Sequence, residues 1–322
     1  MTPMRFRPVV LGLALAGWLA GSVMAQTQAP PQTIIQPVRA LIANDDFAGG
    51  ESLLRAFIKE KGPTSEALEA LSWLGRGQLA ANRLDEALRF AFETENMVND
   101  ALKTRGLDDE THLPLALGAS FEVQAQATAK QGDLGTALRV LTRNIETYKN
   151  TSILARLQKN LNLLTLEGKP APEYSQAEFI GSKPPTLASL RGKAVMLFFW
   201  AHWCPDCKRM APIIRELQAA YRGQGLEIVA PTQRYGYVAK RAPAKADVEM
   251  KYMGEVLAEF YQGIRWTIPV SEQSFTNYGS STTPTIVMVD RSGIVTLYHP
   301  GQMTRAELEP QIRKALGSST AP

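Results

Sequence analysis

The hydrophobic period of this chain changes once, and the change divides it. Across residues 38–166 apolar side chains recur at three- and four-residue steps, as in Leu84, Ala87, Leu88 and Ala91, and again in Leu134, Ala137, Leu138 and Leu141. That is the spacing of one buried helix face, and strand-like alternation is absent. At 167–173 (EGKPAPE) two prolines and a glycine end the last helix. Beyond this seam, β-like runs at 194–200, 226–230, 285–290 and 294–298 are separated by helical stretches at 207–221, 246–261 and 304–316. The expected architecture has two domains: an all-α array of helical hairpins over 38–166, then an α/β domain over 168–316 with a central mixed sheet flanked by helices. A chain of 322 residues can give each of them its own core.

The ends read differently. Arg5 and Arg7 precede an apolar run over 9–23 and small residues ending at Ala25, the layout of a secretory signal peptide cleaved after Ala25. An uncleaved anchor is the alternative, although the run is short for a membrane span. Residues 26–37 (QTQAPPQTIIQP) have the composition of an extended linker, with folding expected from about Val38, and 317–322 read as a flexible tail. Cleavage at Ala25 removes two arginines and no acids, so a net charge of +4 becomes +2. Nucleic acid is therefore not an expected partner.

Within the helical half a small-residue pattern recurs: Trp73, Leu74 and Gly75 before Ala87, then Ala125 and Gly132 before Ala137. It resembles tetratricopeptide hairpins, in which two antiparallel helices cross closely at small residues, and it places Asn82 and Gly132 at tight turns. A weaker copy lies around Phe47 and Gly50. Ala87 and Ala137 stand fifty residues apart, more than the roughly 34-residue tetratricopeptide period, so the array is irregular. Two readings of this half stand side by side: a scaffold for the other domain, or a groove for a protein partner.

The chemistry is concentrated in Phe198-Phe199-Trp200-Ala201-His202-Trp203-Cys204-Pro205-Asp206-Cys207, a buried strand running into a helix. These are the only two cysteines, and a disulfide between them closes too small a loop to constrain the unfolded chain, so their purpose is chemical. Unsatisfied N–H groups and the helix dipole at a helix start stabilise a thiolate, which makes Cys204 the expected nucleophile. Cys207, nearly one turn further along the same face, is the expected resolving thiol, and the two form a redox-active disulfide. Pro205 suits the first helical position and stiffens the loop. Trp203 is assigned to the substrate surface and Trp200 to the core. No metal is expected: a closed zinc site needs about four ligands, and His112, His202 and His299 lack ligand spacing, with the His202 ring expected on the surface. No cofactor is expected either.

These residues resemble the thioredoxin superfamily, and within it the TlpA/ResA-like exported thiol–disulfide oxidoreductases. The openings Gly168-x-x-Ala171-Pro172 and Leu190-Arg191-Gly192-Lys193 precede the motif, Pro212 follows it where the family's helix kinks, and Thr283-Pro284 stands before a strand where the family has its cis-proline. The resemblance covers about 168–316 and implies a thioredoxin-like fold. It further implies a cis Pro284 facing the thiols, a Thr283 backbone that pairs with an extended substrate segment, client protein thiols and disulfides as partners, a membrane-bound electron donor, and a periplasmic location. Two positions depart from the pattern: Phe198 and Met210 stand where relatives carry acids, and neither moves a proton. Proton transfer would then fall to water or to Asp206, whose carboxylate also opposes a Cys204 thiolate and so acts as a pKa modulator. The direction of exchange stays open, with reduction favoured by the resemblance. The alternative is a tetratricopeptide-like binding adaptor with an accessory or sensing redox domain, while a peroxidase lacks its Pro-x-x-x-Thr/Ser-x-x-Cys surround. Arg234, Tyr235 and Tyr237, in an insertion over 231–263, carry no assigned role.

Overall fold

In a computed structural model the described residues are 33–317. The segment over 1–25 read as a signal peptide, most of the stretch read as linker and most of that read as tail lie outside them. Seven helices come first: α1 (Ile35–Ala43), α2 (Phe47–Lys61), α3 (Ser65–Ala80), α4 (Leu84–Ala101), α5 (His112–Lys130), α6 (Leu134–Thr147) and α7 (Leu154–Thr165). The first helix thus begins inside the stretch read as linker, because Ile34, Ile35 and Val38 bury themselves against Leu54, Leu71 and Leu74. Apolar side chains outweigh a Gln/Pro-rich neighbourhood here.

Three hairpins share one turn design. Asp45, Asn82 and Gly132 each take a left-handed φ (60°, 58° and 94°) between paired helices, a conformation that Asn, Asp and Gly tolerate best. Each is followed by one residue and then an apolar residue that opens the next helix: Phe47, Leu84 or Leu134. Asp46 and Asp133 cap α2 and α6 by accepting from the N–H groups of Gly49 and Thr136, each such cap stabilising by about 1 kcal/mol. Where α3 crosses α4, Gly75 faces Phe90 and the backbone of Ala87. The array is irregular because α4 runs long and 102–111 form a loop with a short 3₁₀ turn before α5. Helix α5 is buried almost all round, with Leu113, Leu117, Phe121 and Ala125 in the core.

The second half contains β1 (Phe179–Ile180), β2 (Ala194–Phe199), α8 (Pro205–Tyr221), β3 (Leu226–Val229), α9 (Ala246–Phe260), β4 (Ile268–Pro269), α10 (Glu272–Asn277), β5 (Thr285–Val289), β6 (Val295–Pro300) and α11 (Arg305–Ala315). Four strands form one sheet in the order β3-β2-β5-β6, with β2 parallel to β3 and antiparallel to β5. The strands β1 and β4 make a separate antiparallel pair. Every residue of β2 is buried, because the sheet is covered on both faces. Met196, Phe198 and Ile286 face the core of α8 and α11, while Val195, Leu197, Phe199 and Val287 face Phe275, Tyr278 and Tyr298 on the other side.

The helical half closes on that second face. Leu166, just past α7, joins the core of the sheet, and Asn162 of α7 donates to the Asn277 carbonyl at 3.2 Å. Gly279 takes φ +60° and passes so near α7 that a Cβ there would come within 2.6 Å of the Gln158 carbonyl carbon. The seam is also tied down: the N–H of Gly168 donates to the Val295 carbonyl at 2.8 Å, and Glu167 accepts from the Tyr298 N–H at 3.0 Å. Among the described residues no helix is long and apolar enough to cross a membrane.

Candidate functional site

Strand β2 delivers the chain to the head of α8 through a corner that its own side chains fasten. The Trp200 N–H donates to the Pro231 carbonyl at 3.1 Å, its indole Nε1 donates to Ala230 at 3.1 Å, and the Thr232 hydroxyl donates to the Trp200 carbonyl at 2.9 Å. Trp200 is fully buried and packs among core side chains. Cys204 is the N-cap of α8, in extended backbone, and Pro205 is the first helical residue. The Cys207 N–H donates to the Cys204 Sγ at 3.1 Å, so the sulfur occupies the place of a capping oxygen, where the orphan N–H groups favour negative charge. The two sulfurs are joined as a disulfide.

Across from the sulfurs, the Thr283–Pro284 peptide bond is cis, and the Thr283 carbonyl oxygen lies 3.4 Å from the Cys204 Sγ. The sequence thus brings Cys204, Cys207, Pro205, Thr283 and Pro284 to one place from α8 and the segment before β5. Trp203 stands beside them, 46% exposed, whereas Cys204 is only 1% exposed. Pro212 lies inside α8. Asp206 is paired with Arg209 one turn on, so its charge is balanced on the helix surface. Phe198 and Met210 are buried in the apolar core, with Phe198 stacked on Trp266 at 6.1 Å.

His202 departs from expectation: it is 1% exposed, not superficial. Its Nε2 lies 3.2 Å from the equally buried carboxylate of Glu249 on α9, and the rings of Tyr235, Tyr237 and Tyr252 meet it edge-on at 5.3–5.4 Å. Burial lowers the His202 pKa below its ordinary value, with Glu249 pulling the other way, and Nδ1 has no hydrogen-bond partner. Glu249 also accepts from the N–H groups of Tyr235 and Gly236, at 2.6 and 2.9 Å. It therefore pins the insertion against the motif and sets Tyr235 edge-on against Trp203 at 5.5 Å. Arg234 instead pairs with Glu178.

Sequence reasoning missed Glu249 and one further neighbour. A groove of about 960 Å³ opens beside the motif, with Trp203, Tyr235, Ser280 and Thr283 on one side and 149–155, the α6–α7 loop and first turn of α7, on the other. Neither carries a local signal, since Glu249 reads as an ordinary helix residue and the loop as an ordinary turn.

Residues 185–316 match the model of the thioredoxin-like domain family. The thiol-disulfide oxidoreductase ResA of Geobacillus kaustophilus (strain HTA426) is 30% identical over 144 residues, covering 44% of this chain and 74% of the relative. The chain belongs to the thioredoxin-like family. Thioredoxin-like protein YneN of Bacillus subtilis (strain 168) is 28% identical over 147 residues, covering 45% of this chain and 78% of its own. A solved structure described as a putative thiol:disulfide interchange protein DsbE from Chlorobium tepidum is 31% identical, with a TM-score of 0.36, covering 47% of this chain and 98% of its own. This thioredoxin-like protein is a thiol-disulfide oxidoreductase of the ResA type, joined to an N-terminal helical array.

Proposed function

We propose that the protein is exported and reduces disulfides in client proteins through Cys204 and Cys207. The observation that carries this reading is the Cys204 sulfur at the N-cap of α8, 3.1 Å from the Cys207 N–H and beside the Thr283 carbonyl. In the reduced protein the Cys204 thiolate attacks one sulfur of a client disulfide, forming a mixed disulfide and releasing the other sulfur as thiolate. Cys207, deprotonated, then attacks the Cys204 sulfur, closing the Cys204–Cys207 bond and releasing the second client thiolate; two electrons pass to the client. A dithiol donor in the membrane returns them. Trp203, Pro205, Thr283 and Pro284 form the client-facing surface. The Cys207 proton passes to water or to Asp206, whose carboxylate is paired with Arg209.

Export rests on Arg5, Arg7, the apolar run over 9–23 and Ala25, and a periplasmic location follows from it. The divisions 38–166 and 168–316 serve as the helical and redox domains. Equilibration against glutathione and thioredoxin buffers, read by thiol alkylation, tests the direction. A potential near roughly −270 mV or lower supports the reductase, and one near −120 mV makes the protein an oxidant.

A further inference from the structure

We propose that the helical domain supplies the far wall of the client site, so that the disulfide is taken from an extended polypeptide segment lying between residues 149–155 and the thiol motif. The inference rests on Cys204 and Cys207 being the exchanging pair.

Three observations favour an extended chain there. The groove of about 960 Å³ reaches both residues that flank the attacking sulfur: Trp203, its neighbour in sequence, and Thr283, whose carbonyl lies 3.4 Å from it. Its thioredoxin-side wall holds the Ser280 and Thr283 hydroxyls, both buried and without a hydrogen-bond partner, and Ser280 is only 4% exposed. A buried hydroxyl left unpaired costs about 1–3 kcal/mol, and an extended segment offers an N–H and a carbonyl at every residue to meet such groups. Trp203 adds a large apolar face, half open to solvent, for a client side chain.

The opposite wall is fixed in place. Asp108 accepts from the Ser152 N–H at 3.1 Å and from its hydroxyl, and the Thr151 hydroxyl donates to the Tyr148 carbonyl at 2.8 Å. Behind them α7 is seated on α10 through Asn162 and Gly279. A wall held at both ends stays in place beside the thiol motif. Small disulfides need no such wall, because they touch only the sulfurs.

The test uses the full-length protein, reduced, in single turnover, with two oxidants: 5,5′-dithiobis(2-nitrobenzoate), and a linear peptide glutathionylated at a central cysteine. Ala155→Trp fills the groove from the first turn of α7. Asn150→Trp does so from the exposed loop, where folding is not at stake, and circular dichroism checks both variants. The expected result is a loss of about tenfold in the second-order rate constant for the peptide, with the rate for the small disulfide unchanged. Equal rates on the peptide in wild type and Asn150→Trp overturn the proposal, as does an equal loss on both oxidants in folded protein. Failure of the wild-type protein to exchange with either oxidant instead overturns the assignment of Cys204 and Cys207.

Discussion

Each half of the molecule buries one glutamate, and the two are neutralised in opposite ways. Glu122, in the middle of α5, meets Arg76, Arg156 and Lys159 at 3.4, 3.1 and 2.9 Å. Burial alone would raise its pKa, but the three cations outweigh it and hold the carboxyl far below the ordinary range. Glu249, beside the thiol motif, has no Lys or Arg within ion-pair distance among the described residues; it is met by two backbone N–H groups and by His202. One carboxylate joins α3, α5 and α7 by charge, the other fixes a loop by hydrogen bonds. The buried side of the thiol motif is instead lined by apolar side chains, Phe198 and Met210 among them.

Removing either carboxylate breaks the contrast. Glu122→Ala leaves three partly buried cations without a counter-charge, and the expected loss is about 3–5 kcal/mol in urea unfolding, with no change in the Cys204–Cys207 redox potential. An altered potential would show that the helical hub feeds into the thiol site. Glu249→Ala strands two N–H groups and His202, for an expected loss of about 2–3 kcal/mol. Because the Tyr235 loop is released from Trp203, the indole fluorescence should shift to the red, and an unshifted spectrum would refute the pinning role.

The pH dependence separates the two sites more finely. His202 has a folded pKa below its ordinary 6.5, so as pH falls past that value the unfolded chain takes up a proton that the folded chain refuses, and stability declines. Glu122 has a folded pKa below its ordinary 4.5; its contribution is complete above that value and is lost only as pH falls below it. Between about pH 7.5 and pH 5.5 His202 therefore contributes to the decline, and unfolding midpoints in His202→Gln should fall less across that range than in wild type. A decline equal to that of wild type would place the titrating group elsewhere.

Much of this was legible from residue types. The change of period separated helices from sheet, the φ-tolerant Asn82 and Gly132 marked two turns, and a strand running into Cys-Pro-Asp-Cys announced the site. The parts that were not legible depend on residues distant in sequence. His202 carries no mark of burial, because its partner Glu249 lies 47 residues away. Helix α10 is six polar-rich residues, and β1 and β4 have two each, too short for any periodicity to develop. The partner of the Asp206 carboxylate, Arg209 one turn on, was not legible either. Nothing in 149–155 announces that the loop stands across a groove from Trp203, since contacts distant in sequence, among them α7 against α10, put it there.

The most direct measurement traps the exchange intermediate. Reduced Cys207→Ser is mixed with an unfolded, disulfide-bonded protein and resolved without reductant, alongside Cys204→Ser. The account predicts a mixed disulfide through Cys204 in the Cys207→Ser variant and none in the Cys204→Ser variant. A covalent complex that forms through Cys207 when Cys204 is absent, with none in the converse variant, would contradict it.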